Sequence, residues 1–274
     1  MNYKLLFPTY RNRYLFIRDN LRLLSREHRF AQALNLGTGE GDYDSMIAGF
    51  CGHLQACDIN EQDIQFAASL NTGVPNLEYR IEDALALSFA DNTFGLLISV
   101  DVIEHVGRPE RMVEEIGRVL KPGGIALVTF PSLEFPFTYD PVNRFLSYFT
   151  DKKIAQGAYA FGHEYLVSPA DFRSWALKNG LEVVREQNLS GYLIGFLEMY
   201  WTGIIQRLFK ANAANLSEQD SKKSALRPST KEPLLAGLTD SIIRLDTALF
   251  GRSRRSVGKG FIIQKALPNA GSKP

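Results

Sequence analysis

A glycine-rich turn follows the first apolar run of the chain and precedes a stretch that favours a helix. It reads Gly37-Thr38-Gly39-Glu40-Gly41, and Asp58 ends the next apolar run. Glycines in such a turn let the backbone approach a nucleoside-type ligand closely. A carboxylate at the end of the second strand offers two acceptor oxygens to the two hydroxyls of a ribose. The pattern therefore predicts a nucleoside-binding loop.

The charges of this turn indicate which ligand it suits. A dinucleotide fingerprint has a third glycine where this chain has Asp42. Glu40 and Asp42 would repel a pyrophosphate, and the turn itself contains no Lys or Arg to compensate. A cationic cofactor without phosphate fits better, and S-adenosylmethionine carries a sulfonium, an ammonium and a ribose. We expect Glu40 to face the ammonium, with a helix N-terminal acid as the plainer interpretation.

Alternating strand and helix patterns around the turn predict a doubly wound α/β fold. The predicted strands are 33–36, 54–58, 77–81, 94–100, 125–130, 181–187 and 260–265. A first helix is predicted over 8–30, another from Pro109 to the stop signal Lys121–Gly124, and a third from the N-cap Ser168 to Asn179. On the first helix, Arg11, Arg18, Arg22 and Arg29 form a stripe. This stripe is either a solvated face or a contact for an anionic substrate or membrane surface.

Length and composition describe an ordinary folded chain. The 274 residues suffice for one α/β domain with insertions, and the net charge of +1 gives no reason to expect nucleic-acid binding. Cys51 and Cys57 both lie near the second strand, which favours buried thiols in a reducing compartment over a disulfide. The first residues do not have the apolar core of a signal peptide. We therefore expect a cytoplasmic location.

Five motifs resemble those of the class I S-adenosylmethionine-dependent methyltransferases, of the methyltransferase type 11 kind. In chain order they are Leu34–Gly41, Asp58, Glu82–Ala84, Asp91–Phe94 with Ser99–Val106, and Arg118–Gly124. Thr38 stands where the family usually has a cysteine. Any one motif is weak, whereas all five in order at the correct spacing are specific. The likeness covers residues 31–187 and the final strand.

The resemblance implies a Rossmann-like, seven-stranded, mostly parallel sheet whose last strand is antiparallel, with helices on both faces. It divides the chain into a helical segment (1–30), the core (31–187 with 259–266) and a helical insertion (188–258) that contains a flexible linker (211–233). The cofactor is expected to be S-adenosyl-L-methionine. The residues expected to bind it are Asn35, Gly37, Thr38, Gly39, Glu40, Gly41, Asp58, Ile59, Asp83, Ala84, Val100 and Asp101.

Methyl transfer needs an acceptor held in line with the methyl group, and a general base assists when the acceptor is a hydroxyl. His105, at the carboxyl end of strand 4, and His163 are the candidate bases, although His105 could instead cap the following turn. Asp101, Glu104 and His105 resemble a cluster that binds a divalent metal in some ubiquinone-pathway O-methyltransferases. This chain has fewer acids in that cluster, so we predict no metal.

An aromatic and proline-rich segment, 131–167, is expected to line the acceptor pocket, with ordinary loop packing as the alternative. The predicted pocket residues are Tyr14, Phe135, Tyr139, Asp140, Asn143, Glu164 and Tyr192. Two apolar helical segments, 189–209 and 234–250, flank the linker. Glu198 and nearby glycines argue against 189–209 as a membrane span, which leaves a cap over the pocket or an interfacial helix.

The segment 234–250 is amphipathic and is followed by Arg252, Arg254 and Arg255, which suits an anionic membrane surface. We therefore predict a methyltransferase that acts on an oxygen of a small hydrophobic, glycan or lipid-linked acceptor, with peripheral membrane contact and the oligomeric state left open. One alternative is cyclisation or elimination with the same cofactor. The other is a binding or assembly protein that has kept the fold without turnover.

Overall fold

The computed structural model describes residues 2–135, 145–146, 148–150, 166–197 and 231–267. Seven strands form one sheet in the order β3-β2-β1-β4-β5-β7-β6. Their bounds are β1 Phe30–Leu36, β2 Cys51–Asp58, β3 Leu77–Ile81, β4 Phe94–Val100, β5 Leu120–Pro131, β6 Leu181–Asn188 and β7 Gly258–Lys265. Strands β1 to β5 pair in parallel, and β7 runs antiparallel to both β5 and β6. The predicted fold is confirmed.

Helices cover both faces of the sheet. Their bounds are α1 Pro8–Leu24, α2 Asp44–Ala48, α3 Glu61–Leu70, α4 Pro109–Val119, α5 Pro169–Lys178 and α6 Ala236–Phe250, with short 3-10 helices at Tyr3–Leu6 and Ile103–His105. One core cluster packs α4 and α5 against the sheet, and the other packs α1 and α2 against the opposite face. Residues 192–197 form a further helical segment.

Several predicted boundaries differ from the structure. β1, β2 and β7 begin two or three residues earlier than predicted, and the largest differences lie at α1 and β5. The first helix ends at Leu24 rather than at residue 30, because Phe30 already pairs with Cys51 as the first residue of β1. β5 begins at Leu120, directly after α4, and the predicted stop signal lies within it. The register shifts between Phe94 and Leu96, and Gly123 has a φ of 76°, so the Pro-Gly-Gly segment is a bulge in the strand.

One arginine of the predicted stripe, Arg11, is used inside the protein, whereas Arg22 is 59% exposed and Arg29 is exposed beyond the end of α1. Arg11 is buried and donates to both carboxylate oxygens of Asp240 on α6, at 2.8 and 3.1 Å. Its Nη1 lies 3.2 Å from Glu232. Arg18 is ion-paired with Asp19 at 2.9 Å. For Arg11 the prediction of a solvated face or an anionic-substrate contact is wrong, since it joins α1 to α6.

Candidate active site

The glycine-rich loop connects β1 to α2 at the point where the strand order reverses between β1 and β4, which is where open α/β sheets bind ligands. Gly37, Gly39 and Gly41 have φ values of 75°, 53° and 78°. A Cβ on Gly37 would overlap the Val102 side chain, so a larger residue cannot fit there. A Cβ on Gly39 would meet nothing within 4 Å, which shows that this glycine borders open space. The loop therefore exposes its backbone to a crevice.

Asp58 is fixed beside this loop at the carboxyl end of β2. Its Oδ2 accepts the backbone N–H of Gly39 at 2.8 Å, and its Oδ1 accepts that of Asn60 at 3.0 Å. Each carboxylate oxygen can accept a further hydrogen bond. The two backbone donors thus hold the carboxylate in one orientation while leaving acceptor capacity for two hydroxyls of a ligand.

A buried carboxylate, Asp44, organises the loop from beneath. It accepts hydrogen bonds from Thr38 Oγ1 at 2.7 Å, from Asn35 Nδ2 at 2.6 Å and from the Tyr79 hydroxyl at 2.8 Å. Burial raises the pKa of Asp44, and these three donors oppose that rise. The side chains of Asn35 and Thr38, both predicted to bind cofactor, therefore point into this network. Sequence reasoning missed Asp44, although its position at the first turn of a helix after the loop is a usable signal.

A cation contacts the glycine turn, although the turn itself contains no Lys or Arg. Lys4, from the 3-10 helix Tyr3–Leu6, donates through Nζ to Glu40 Oε2 at 2.7 Å and to Asp42 Oδ2 at 2.6 Å. Asp42 also accepts from the Tyr10 hydroxyl at 3.1 Å and from Asn2 Nδ2 at 3.5 Å. The two carboxylates raise the pKa of Lys4 above its ordinary value despite the opposing effect of burial. The N-terminal segment is therefore part of the site.

A second group of polar residues lies where β4 ends. Asp101 has a φ of 53°, is ion-paired with Arg13 on α1, and accepts a hydrogen bond from Thr129 Oγ1 at 2.9 Å. Glu104 is fully buried, and neither of its carboxylate oxygens has a hydrogen-bond partner among the described residues. Burial, and then the charge of Asp101, raise the pKa of Glu104 well above its ordinary value. His105 is exposed at the end of the same 3-10 helix.

Further predicted cofactor residues lie along the same edge of the sheet. Asp83 follows β3, and its Oδ1 accepts the backbone N–H of Leu85 at 2.8 Å, which orders the loop. Ala84 packs against the core, whereas the Ile59 side chain is 69% exposed next to Asp58. Val100 is the last residue of β4. The edge that bears the glycine loop therefore also carries the residues that the third and fourth motifs predict.

Three of the predicted acceptor residues lie in the described ranges. Phe135, just after β5, packs on Tyr192 with ring centroids 5.2 Å apart, and Tyr192 packs on Phe250 at 5.4 Å. Tyr14 lies elsewhere, against Tyr43, with a centroid distance of 5.6 Å. Tyr139, Asp140, Asn143, Glu164 and the candidate base His163 lie outside the described residues. The structure thus joins Phe135 and Tyr192 in one aromatic cluster and places Tyr14 in another contact.

Within the described ranges, no three His, Cys, Asp or Glu side chains form a group that could hold a metal ion. In these ranges, no helix is both long enough and apolar enough to cross a membrane.

Comparison with known proteins connects this geometry to a family. Residues 34–128 match the family model described as "Methyltransferase domain". A ubiquinone/menaquinone biosynthesis C-methyltransferase from Hydrogenovibrio crunogenus is 35% identical over 115 residues, which are 40% of this chain and 44% of that protein. A ubiquinone biosynthesis O-methyltransferase from Parvibaculum lavamentivorans is 31% identical over 97 residues, 35% of this chain and 38% of its own length.

Among solved structures, phosphoethanolamine N-methyltransferase 2 from Haemonchus contortus, in complex with S-adenosyl-L-methionine, superposes with a TM-score of 0.56 at 18% identity. The superposition covers 91% of this chain and 52% of that one. This likeness concerns the fold. The chain spans less than half the length of the curated relatives it matches first.

These findings place residues 34–128 in the methyltransferase-domain family, which confirms the resemblance to class I S-adenosylmethionine-dependent methyltransferases seen in the five motifs. S-adenosylmethionine is the cofactor of this class of domain. The residues of the crevice fit it: Gly39 borders open space, Asp58 presents oriented acceptors, and Glu40 places a carboxylate beside them.

Proposed function

We propose that this protein transfers a methyl group from S-adenosylmethionine to a hydrophobic acceptor, with oxygen as the atom methylated. The observation that carries the proposal is the orientation of Asp58 next to Gly39, with 2.8 Å between the carboxylate and the backbone nitrogen. Asp58 would accept both ribose hydroxyls, Asp83 would accept from the adenine amino group, and Glu40 would face the amino-acid end. The motifs of the matched family and its named relatives support these roles.

The cofactor supplies an electrophilic methyl group, so the protein's part is to position the acceptor and exclude water. His105 lies after β4, at the edge of the sheet that bears the crevice, and can take the proton of a hydroxyl acceptor. The Asp101–Arg13 ion pair and the Thr129 hydrogen bond fix the backbone at Asp101, four residues before His105. Positioning and proton removal are therefore assigned to different residues.

An apolar acceptor is supported by the aromatic cluster of Phe135, Tyr192 and Phe250, which lies beyond the carboxyl end of β5. Phe135 is 3% exposed, and a Cβ on Gly195 would lie 2.9 Å from its ring. The helical segment 192–197 therefore packs directly on the residue that follows β5. The two curated relatives described above are named for quinone biosynthesis, and quinones are hydrophobic molecules.

A row of exposed leucines on α6 supports a lipid-linked acceptor and contact with an anionic membrane. We call Leu238, Leu245 and Leu249 the leucine stripe; they are 67%, 53% and 62% exposed. Both acids of α6 are used on its inner side, since Asp240 pairs with Arg11 and Asp246 is buried. Exposed arginines follow at 252, 254 and 255. Apolar side chains flanked by cations are what an anionic lipid surface binds.

The reaction is tested by incubating the purified full chain with S-adenosylmethionine and a lipid extract, and by following S-adenosylhomocysteine and acceptor mass. Formation of S-adenosylhomocysteine with a methylated apolar product is the expected result. A new product without S-adenosylhomocysteine would instead indicate cyclisation or elimination. Cofactor binding with neither product, across extracts of different polarity, would indicate a binding protein and contradict the proposal.

A further inference from the structure

Among the described residues, Lys4 has a spare donor and the neighbouring Glu40 has a spare acceptor, beside the glycine-rich loop. Its ammonium has three N–H groups, and two of them are directed to Glu40 and Asp42. Glu40 uses Oε2 for this contact, and its Oε1 has no hydrogen bond to any residue that the structure describes. The side chains of Lys4 and Glu40 are 25% and 14% exposed, so both are partly accessible to a ligand.

The two carboxylates that bind Lys4 differ in their remaining capacity to accept hydrogen bonds. Asp42 is 8% exposed and accepts from Lys4, Tyr10 and Asn2, so its role is to hold the N-terminal segment in place. Glu40 lies in the glycine loop itself, one residue after Gly39, which borders open space. A cation and an anion with spare hydrogen-bonding capacity therefore lie side by side next to the cofactor's expected location.

We propose that Lys4 and Glu40 together bind the amino-acid end of S-adenosylmethionine as a zwitterion, with Lys4 on the carboxylate and Glu40 on the ammonium. This inference rests on the proposed function, since it concerns the same cofactor. Opposite charges pair favourably in this arrangement, whereas Glu40 alone would repel the cofactor's carboxylate. Lys4 is thus a specificity-determining residue that selects the complete amino acid.

The test compares three ligands by calorimetry: S-adenosylmethionine, its decarboxylated form, and 5′-methylthioadenosine, which has no amino-acid end. Replacing Lys4→Met should weaken binding of S-adenosylmethionine about tenfold, as expected for loss of one charged hydrogen bond. Binding of the decarboxylated form and of methylthioadenosine should change less than about twofold. Lys4→Arg should restore binding of S-adenosylmethionine, and Lys178→Met, at an exposed lysine on α5, should match the wild type.

Other outcomes would overturn the inference. Tighter binding of S-adenosylmethionine to Lys4→Met would mean that Lys4 competes for the ammonium position, and an equal loss for all three ligands would mean that it only supports the loop. The unliganded melting temperature of Lys4→Met, and a milder Lys4→Gln variant, separate a folding defect from a binding defect. If the wild type binds none of the three ligands, the proposed function fails with the inference; if it binds them and Lys4→Met behaves like the wild type, only the inference fails.

Discussion

Arg13 on α1 is ion-paired with Asp101 at the end of β4, and the two residues join the N-terminal helix to the floor of the crevice. The Arg13 side chain is 3% exposed, and a Cβ on Gly258 would lie 2.8 Å from its Nη2. A larger residue at Gly258 would therefore displace the guanidinium. Because Asp101 has a left-handed backbone, its ion pair with Arg13 and its hydrogen bond to Thr129 together stabilise a conformation that non-glycine residues adopt rarely.

Asp58→Ala should weaken binding of S-adenosylmethionine at least about tenfold, because two acceptors for the ribose hydroxyls are lost. Calorimetry with 5′-methylthioadenosine and its 2′,3′-dideoxy analogue isolates this effect, since only the first ligand has the hydroxyls. The dideoxy analogue should bind wild type and variant alike. Glu61→Ala, at an exposed acid on α3, is the matched control. Unchanged affinity of Asp58→Ala for S-adenosylmethionine would contradict the ribose assignment.

The parallel core of the fold could be predicted from sequence because its signals are local. β3 and β4 have the predicted bounds, Leu77–Ile81 and Phe94–Val100. β4 is a continuous apolar run, as is typical of a central parallel strand, whereas β3 at the edge of the sheet alternates apolar and charged residues. The predicted N-cap Ser168 is confirmed, because its Oγ accepts a hydrogen bond from the backbone N–H of Ala170 at 3.1 Å. The early start of β5 could not be predicted, because a Pro-Gly-Gly segment ordinarily ends an element rather than bulging within one.

The residues of the glycine-rich loop could be predicted from the sequence, whereas the charged residues that contact the loop and α1 could not. Gly37–Gly41 and Asp58 belong to local motifs, whereas the cation at the loop comes from Lys4, 36 residues before Glu40. The partner of Arg11, Asp240, is 229 residues away in sequence. Residues that are so far apart in the chain leave no local pattern from which either ion pair could be predicted. Charged residues on an amphipathic helix look solvated until the packing of the whole chain is known.

His105→Ala should lower turnover about 100-fold if the methyl acceptor is a hydroxyl, with the affinity for S-adenosylmethionine unchanged. The measurement is the rate of S-adenosylhomocysteine formation, with the affinity for S-adenosylmethionine measured alongside by calorimetry. His53→Ala on β2 is the control, since its strand position lies before the carboxyl end that forms the crevice. Full turnover in both His105→Ala and His163→Ala would show that positioning alone carries the reaction.

Asp246 on α6 accepts hydrogen bonds from three backbone N–H groups at the start of the helical segment 192–197. The donors are Gly191 at 2.6 Å, Leu193 at 3.0 Å and Ile194 at 3.2 Å. Asp246→Ala leaves these buried donors without an acceptor and should lower the free energy of unfolding by about 1–3 kcal/mol. Urea titration measures this loss. Asp246→Asn should lose less, and Thr247→Ala, at the exposed neighbour, should lose little; equal losses in all three would contradict the capping role.

The leucine stripe should bind vesicles that contain anionic lipid. Sedimentation with phosphatidylcholine vesicles containing about one third phosphatidylglycerol should recover the wild type, and the double variant Leu245→Glu, Leu249→Glu should remain in the supernatant. Vesicles of phosphatidylcholine alone should bind less, because the arginines after α6 would lose their counter-charge. Leu177→Glu, at a leucine on α5 that is 73% exposed, controls for the added charge. Equal sedimentation of wild type and double variant would exclude this surface as the contact.

Glu104→Gln should stabilise the protein at neutral pH, because the wild-type carboxyl group is fully buried and has no hydrogen-bond partner in the part of the chain that the structure describes. The pKa of Glu104 is raised well above 4.5 by burial and then by Asp101, and Arg13 opposes this rise. An acid whose pKa is raised on folding binds more protons in the folded than in the unfolded state, so stability falls as pH rises above the unfolded value. Glutamine removes this dependence.

Denaturant titrations from about pH 4 to about pH 8 should therefore give nearly equal free energies of unfolding for variant and wild type at the acid end. The difference in free energy of unfolding should widen to about 1–3 kcal/mol as the pH rises. Glu110→Gln, at an exposed acid on α4, should show no widening. A constant gap for Glu104→Gln across the range would mean that the carboxylate is ionised and compensated in the folded protein.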